Sequence, residues 1–563
     1  MLKLSIWFLT LSLSFFGCSK VKDRSQVLKI NFFQDPLSLD PRKESDPVTC
    51  TLLFMLYEGL VKKCPCNGRP VAELQNTDSS SPYYLNALFW DESKPEANRP
   101  QECISPTLDF GLAKKIVQSH DRKTYTFYLR KAFWSNGVPI TAHDFEYSWK
   151  SLLDPAFPAP NAHLFYPILN AKQAKHGLCS KNEVGVRALD DRILEVRLEK
   201  PTPYFLELVS FCIFFPVPKH VAIQQNARLD NRFDAFVGSG PFTLKSWKLG
   251  NEVHVVKNHY YYQKNAVRLD EIRIMIIADE ATAYKMYQKN ELDLLGANIS
   301  PFALDMMDEI KSHPDLKIVP VAASAYISFN TCHPWLSNIH LRRALGFSIN
   351  RRDITEHVTG FREIPSVHLI PFSMYNLNPL HDMEQVNPES ELKIALSELG
   401  ITKERLKELK FSYFSSEISK KTAQAIQDKW KHSLQVDIAL DERDFYGHFD
   451  ALRNRRYDLG LGYLIVQYDD PMNVLERLKH KNTPVNFTGW ENGDYASLLI
   501  ESGYQQNWDD RMQKLLQAED ILMRELPIIG LYHFNSSILL KKNVSGLYIS
   551  PIGSIHFEHV RLQ

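Results

Sequence analysis

Lys421-Thr-Ala-Gln-Ala-Ile-Gln-Asp-Lys-Trp430 and, shortly after it, Val436-Asp-Ile-Ala-Leu440 carry the two hydrophobic periods that decide the fold. In the first, apolar residues recur at helical spacing, which predicts an amphipathic helix. In the second they alternate, which predicts a strand. A helix running into a strand is the step that open α/β sheets repeat. The pattern extends outward in both directions. Strands are predicted at Val27 to Phe33, Tyr125 to Leu129, Leu194 to Leu198 and Val253 to Val256, and helices at Thr51 to Leu60 and Leu341 to Ile349. Thr141-Ala-His-Asp144 has capping-box form; Ala142, Phe145, Trp149 and Leu152 follow at helical spacing, and Asp154-Pro155 is the stop. No repeat of fixed period is present. The chain reads as a large α/β protein.

Its 563 residues suggest three or four domains at about 150 residues each. Hydrophobic residues make up 44% and charged residues 23%, which excludes disordered and membrane-embedded classes. Lys+Arg and Asp+Glu are equal at 66 each. No global basic field exists to condense on nucleic acid, so no nucleic-acid partner is expected.

The first residues read as an export address. Lys3 precedes an apolar run from Leu4 to Phe16, too short to span a ~30 Å hydrocarbon core and laid out as a signal peptide over residues 1–17. Gly17-Cys18 at its end resembles a bacterial lipoprotein box, in which the cysteine is diacylated and becomes the new N-terminus; Phe15 stands where Leu is usual. No later segment offers ~18 uninterrupted apolar residues. Export changes how the other cysteines read. Cys64-Pro-Cys66 has no His/Cys set at zinc-finger spacing, so a disulfide among Cys64, Cys66 and Cys103 is favoured over metal, with the pairing open. Cys212 and Cys332 read as buried free thiols. The Pro- and Ser-rich stretch from Leu74 to Pro106 reads as an insertion.

Catalytic motifs are missing from the sequence. It contains no G-x-x-x-x-G-K-[ST] phosphate loop, no H-E-x-x-H helix and no G-x-S-x-G elbow. Gly238-Ser-Gly-Pro241 precedes a strand rather than a helix, so it reads as a tight turn and not a phosphate cradle. His556 and His559 would face opposite sides of a strand, which argues against a shared metal. Asp469-Asp470 reads as solvated loop charge. The catalytic case is weak: no cofactor and no metal are expected, and no enzyme.

Ordered stretches then resemble one family. They are Pro36-Leu-Ser-Leu-Asp40-Pro41, Leu56-Tyr-Glu-Gly-Leu60, Tyr125 to Arg130, Trp134-Ser-Asn-Gly137, Thr141 to Phe145, Tyr147-Ser-Trp-Lys150, Leu153-Asp-Pro155, Pro203-Tyr-Phe205, Gly238 to Phe242, Phe329-Asn330, Arg343-Ala-Leu345 and Asn350-Arg-Arg352. Their number, order and spacing resemble the family 5 extracellular solute-binding proteins of ABC importers, closest to the bacterial oligopeptide-binding lipoproteins.

That resemblance implies a periplasmic-binding-protein fold of two lobes joined by two crossing strands, with an extra small domain. Lobe I would hold residues 27–275 plus 530–563, including a small domain at 45–183 that carries the 74–106 insertion; lobe II would hold 276–529. The crossings would be Arg273 to Ile277 and Ile528 to Tyr532. The implied protein is a monomer, held by a lipid on Cys18 at the periplasmic side of a bacterial envelope. It would hand an oligopeptide to an ABC permease and its ATPase.

The site implied by resemblance is altered. Gln467 falls where the family has the aspartate that holds the peptide amine, and Leu464 where it has Trp. Leu461 replaces a cationic position, with Arg453, Arg455 and Arg456 just upstream. Ser45, flanked by Glu44 and Asp46, falls at a second acidic position, and Asn161 near a ligand-facing Tyr. Tyr532 and His533 fall at an aromatic position facing the cleft. A charged N-terminus should therefore matter less, unless Asp469, Asp46 or Glu44 takes the role. The alternative is the same scaffold binding a muropeptide, a metal complex or a sensory cue.

Overall fold

The apolar alternation read from the sequence builds a mixed sheet of eleven strands, seen in a computed structural model that describes residues 26–44, 46–63, 103–105, 108–224, 236–374, 386–505 and 507–563. The leader, Cys18, Ser45, Cys64, Cys66 and nearly all of the 74–106 insertion lie outside the described residues, and with them the disulfide expected there.

From one edge the sheet runs Ala439–Arg443, Lys410–Phe414, Leu459–Ile465, Leu316–Phe329, Ile528–Leu540, Leu294–Gly296, Val27–Phe32, Glu271–Ile276, Glu252–Lys257 and Phe242–Lys248. Ile364–Pro365 adds a short flank against His533 and Tyr532. A separate antiparallel sheet orders Ala113–Gln118, Thr124–Leu129, Ile193–Arg197 and Val186–Asp190. The helix Ala142–Leu152 packs on it. Its capping box forms as read, with the Thr141 amide donating to Asp144 Oδ2 at 2.8 Å, and Ala142, Phe145, Trp149 and Leu152 are fully buried.

One expectation shifts. The helix Glu417–Lys429 passes through a wider turn, Trp430–Leu434, and ends at Gln435 with φ of +56°. Val436 and Ile438 then fill the core, but hydrogen-bonded pairing starts only at Ala439 opposite Lys410. The alternation there marks burial rather than ladder. Glu271–Ile276 pairs with Val27–Phe32 and Glu252–Lys257 and stops there. The longest strands among the described residues are Leu316–Phe329, with 14 residues, and Ile528–Leu540, with 13. Leu316 to Pro320 pair with Asn535 to Leu539, and Ser324 to Ser328 with Ile528 to His533, with a slip between. Pro320, lacking an amide hydrogen, sits at that break. Leu294–Gly296 pairs with Ile30 and with Ile538 to Leu540.

One apolar cluster joins the Val27 strand, the four-stranded sheet and residues from Leu464 to Leu522; another gathers residues from Ala325 to Leu461 with Met523 to Tyr532. Gly240 shows how closely the first is packed. A Cβ there would lie 2.5 Å from the Tyr57 amide nitrogen, which explains the glycines of Gly238-Ser-Gly240 as close-approach residues.

Candidate ligand-binding site

Three chain segments far apart in sequence meet at Asn161. The first is set by Asp40-Pro41. Asp40 caps the short turn Pro41–Lys43 and forms a fully buried ion pair with Arg42, Nη2 to Oδ2 at 2.6 Å. The Arg42 guanidinium lies 4.6 Å from the Phe157 ring centre. This fixed turn delivers Glu44, which is 5% exposed. The second is the turn Ala162–Phe165, preceded by Asn161. The third is the loop after Leu459–Ile465, which carries Gln467.

Asn161 Nδ2 donates to the Glu44 carbonyl at 3.1 Å and to Glu44 Oε2 at 2.9 Å, and its Oδ1 accepts from Gln467 Nε2 at 2.9 Å. The result is a continuous chain, Gln467 to Asn161 to Glu44. Burial pushes the Glu44 carboxyl up to about 8, opposed by the Asn161 hydrogen bond and reinforced by Asp46. At neutral pH this acid is mostly protonated yet sits near its titration point.

The loop around Gln467 is held firmly. The Gln467 amide donates to Asn473 Oδ1 at 3.3 Å. Tyr468 stacks on Tyr204, ring centres 4.9 Å apart at 10°, and donates to Glu476 Oε1 at 2.8 Å. Asp470 accepts both Arg511 Nη atoms, at 2.8 and 2.7 Å, and also the Met472 amide at 2.9 Å. The reading of Asp469-Asp470 as solvated charge is thus corrected: Asp470 is 3% exposed, and a carboxylate there persists because Arg511 pairs it bidentately. Half-buried Asp469 is pushed up to about 7 by burial, with Lys63 drawing it down and Glu207 and Asp470 raising it further.

The other expected positions lie elsewhere. Leu464 is buried and lines a small cavity with Tyr326, Ser328, Leu369, Arg477 and Phe487. Leu461 is in the core, and Arg456 pairs with Asp450 at the surface. Tyr532 is fully buried against Phe534, ring centres 5.1 Å apart. His533, on the opposite face of the strand, meets Ser324 Oγ at 2.8 Å, and burial pushes its imidazole down to about 3. Ser45 itself lies outside the described residues. Glu44, its neighbour, supplies the carboxyl of the chain through Asn161. Tyr204 was not singled out for the site, and its only sequence signal was its place in Pro203-Tyr-Phe205.

Glu44 also lies beside two thiols. One carboxylate oxygen and the Sγ atoms of Cys50 and Cys212 are within 4.8 Å of one another, all buried. Burial raises both thiols, Cys212 well above its ordinary value, which disfavours the thiolates a metal would need. Cys332, read as buried, is exposed.

Comparison with known proteins gives the following. The middle model of the bacterial extracellular solute-binding proteins, family 5, matches residues 107–485. The oligopeptide-binding protein OppA of Bacillus subtilis (strain 168) is 31% identical over 540 residues, covering 95% of this chain and 92% of its own length. The periplasmic murein peptide-binding protein MppA of Escherichia coli (strain K12) is 28% identical, covering 77% of this chain and 81% of its own. A crystal structure of a periplasmic oligopeptide-binding protein from Borrelia burgdorferi superposes with a TM-score of 0.74 at 26% identity, covering 96% of this chain and all of its own.

Proposed function

Because the chain belongs to the bacterial extracellular solute-binding proteins of family 5, we propose that it captures a peptide or peptide-like solute between two lobes and delivers it to the permease of an ABC importer, whose ATPase drives transport. The observation that carries this reading is the Glu44–Asn161–Gln467 chain, which sets a titratable carboxyl and two amides at the junction of three segments. The lobes are taken to divide as the family resemblance implies, with crossings at Arg273 to Ile277 and Ile528 to Tyr532 and residues 276–529 in the second lobe. A lipid on Cys18 would keep a monomeric receptor at the membrane face, since several acyl chains anchor far more firmly than one. Cys18→Ser should release the protein from the membrane fraction; continued sedimentation with lipid after that change would rule the anchor out.

Two ligand classes follow from the same site. A free ammonium would meet Glu44 and require it ionised, through a charge-assisted bond worth ~1.5–3 kcal/mol. A capped or wall-derived peptide would meet the neutral acid and the Gln467 amide, at ~0.5–1.5 kcal/mol per bond. The second class is favoured by the neutral side chain at 467 and the raised Glu44. The test is calorimetric titration with one tripeptide, free and N-acetylated. Affinity within about threefold of one another supports capped or peptide-like ligands. A loss of a hundredfold or more on acetylation assigns the amine to Glu44 or Asp469 and ordinary peptide capture. Binding of neither form removes the peptide reading. Gln467→Asp should tighten the free-amine peptide only in the first case.

A further inference from the structure

Among the described residues, two buried thiols lie within 4.8 Å of the Glu44 carboxylate and of each other. Cys50, on the helix Pro47–Leu56, and Cys212, opening the turn Cys212–Phe214, bring their Sγ atoms to 3.2 Å although they are 162 positions apart. They are 7% and 0% exposed. Two thiolates on one tetrahedral zinc, each at ~2.3 Å, are held roughly 3.8 Å apart, so this spacing is too short for a shared metal. It exceeds a disulfide bond, at ~2.05 Å, by an amount that side-chain rotation covers. Burial disfavours both thiolates, whereas a disulfide carries no charge and suits an apolar surround.

The two positions also bracket a unit. Everything in the four-stranded sheet, from Ala113 to Arg197, and Asn161 with it, lies between Cys50 and Cys212 in sequence. A bond here would close the base of that unit and hold the helix whose lead-in carries Glu44.

We propose that Cys50 and Cys212 form a disulfide in the exported protein. The oxidant is a disulfide of the thiol–disulfide exchange class. The first cysteine, as thiolate, attacks it and releases one thiol; the second attacks the mixed disulfide and releases the other. Two protons and two electrons leave the pair as its S–S bond forms and the oxidant's breaks. Burial places the reaction before the core closes around the pair. The proposal rests on the export reading, so the test separates the two.

The full chain with its leader is recovered from bacterial envelopes, denatured with an alkylating reagent and no reductant, digested and mapped by mass spectrometry. Protease accessibility in spheroplasts scores export independently. A second sample, purified reduced, is unfolded in urea and refolded with glutathione disulfide. The expected result is a Cys50–Cys212 peptide pair, lighter by two hydrogens than the separate peptides and parted by reductant, in both samples. If protease does not reach the chain and only the refolded sample is linked, export fails and the disulfide stands. An exported chain with both cysteines alkylated overturns the proposal, as does absence of the link from both samples. So does either cysteine joined to glutathione or another cysteine, or stoichiometric zinc that shields both until chelated.

Discussion

At the scale of single residues, the proposed site turns on Glu44. Its carboxyl titrates near 8 because it is buried, with Asn161 only partly offsetting that cost. An ammonium ligand needs the ionised form, so below pH 8 binding must first expel a proton, and each pH unit costs ~1.4 kcal/mol. Affinity for a free-amine peptide should therefore rise about tenfold per unit from pH 6 to near 8, then level as the ligand amine itself deprotonates. The N-acetylated peptide should show no such rise. Calorimetry across that range checks both, and equal slopes would remove Glu44 from the site. Stability has the opposite slope. A folded value raised from 4.5 to about 8 means the native state keeps a proton the unfolded chain has lost, so this group destabilises progressively as pH rises from about 4.5 to 8. Glu44→Gln should flatten that part of the melting profile. The sequence marked Asn161 and Gln467 only through resemblance, and nothing in it predicted that they would bond each other, since that contact joins residues 306 apart.

Whole elements were more legible, and the reason is local physics. A capping box and a four-residue apolar stripe act within one helix, so Thr141 to Leu152 read correctly from sequence alone. Pairing partners are not local. Val436 to Leu440 alternates as a strand should, yet Gln435 turns left-handed and postpones the ladder to Ala439. The long pairing of Leu316–Phe329 with Ile528–Leu540 is of the same kind, joining strands some two hundred residues apart that no periodicity encodes. The loop bearing Gln467 gives the matching prediction. Asp470 and Arg511 are both nearly inaccessible, and removing one partner of such a pair leaves an uncompensated buried charge. Arg511→Leu should cost ~3–5 kcal/mol of unfolding free energy by denaturant titration. The double change Asp470→Asn with Arg511→Leu should recover part of it. A single variant as stable as the parent would show that the pair does not hold the loop.

For the molecule as a whole, the structure joins the small sheet to the far side of the cleft by more than Gln467. Arg122 donates from Nη1 to the Gln505 carbonyl at 2.7 Å and from Nη2 to the Tyr504 carbonyl at 2.6 Å, at the C-terminal end of the helix Gly493–Tyr504. A guanidinium there also meets the negative end of the helix dipole. Tyr204 stacked on Tyr468 adds an apolar contact across the same gap. These groups lie off the Glu44 chain, so in a receptor that closes on its ligand they would bias closure without reading ligand chemistry. A receptor that binds only when closed has its apparent Kd scaled by the closed fraction. Arg122 is partly exposed, so its two bonds together contribute about 1 kcal/mol. Arg122→Ala should then weaken every ligand about fivefold, free-amine and acetylated alike, mostly through faster release. Small-angle scattering of the ligand-free variant should show a larger radius of gyration than the parent, converging when ligand saturates both. Glu44→Gln should do the reverse, discriminating between the two peptides while leaving the ligand-free dimensions unchanged. If Arg122→Ala instead affected one peptide only, the arginine would belong to the ligand site and closure would have to be held by other contacts.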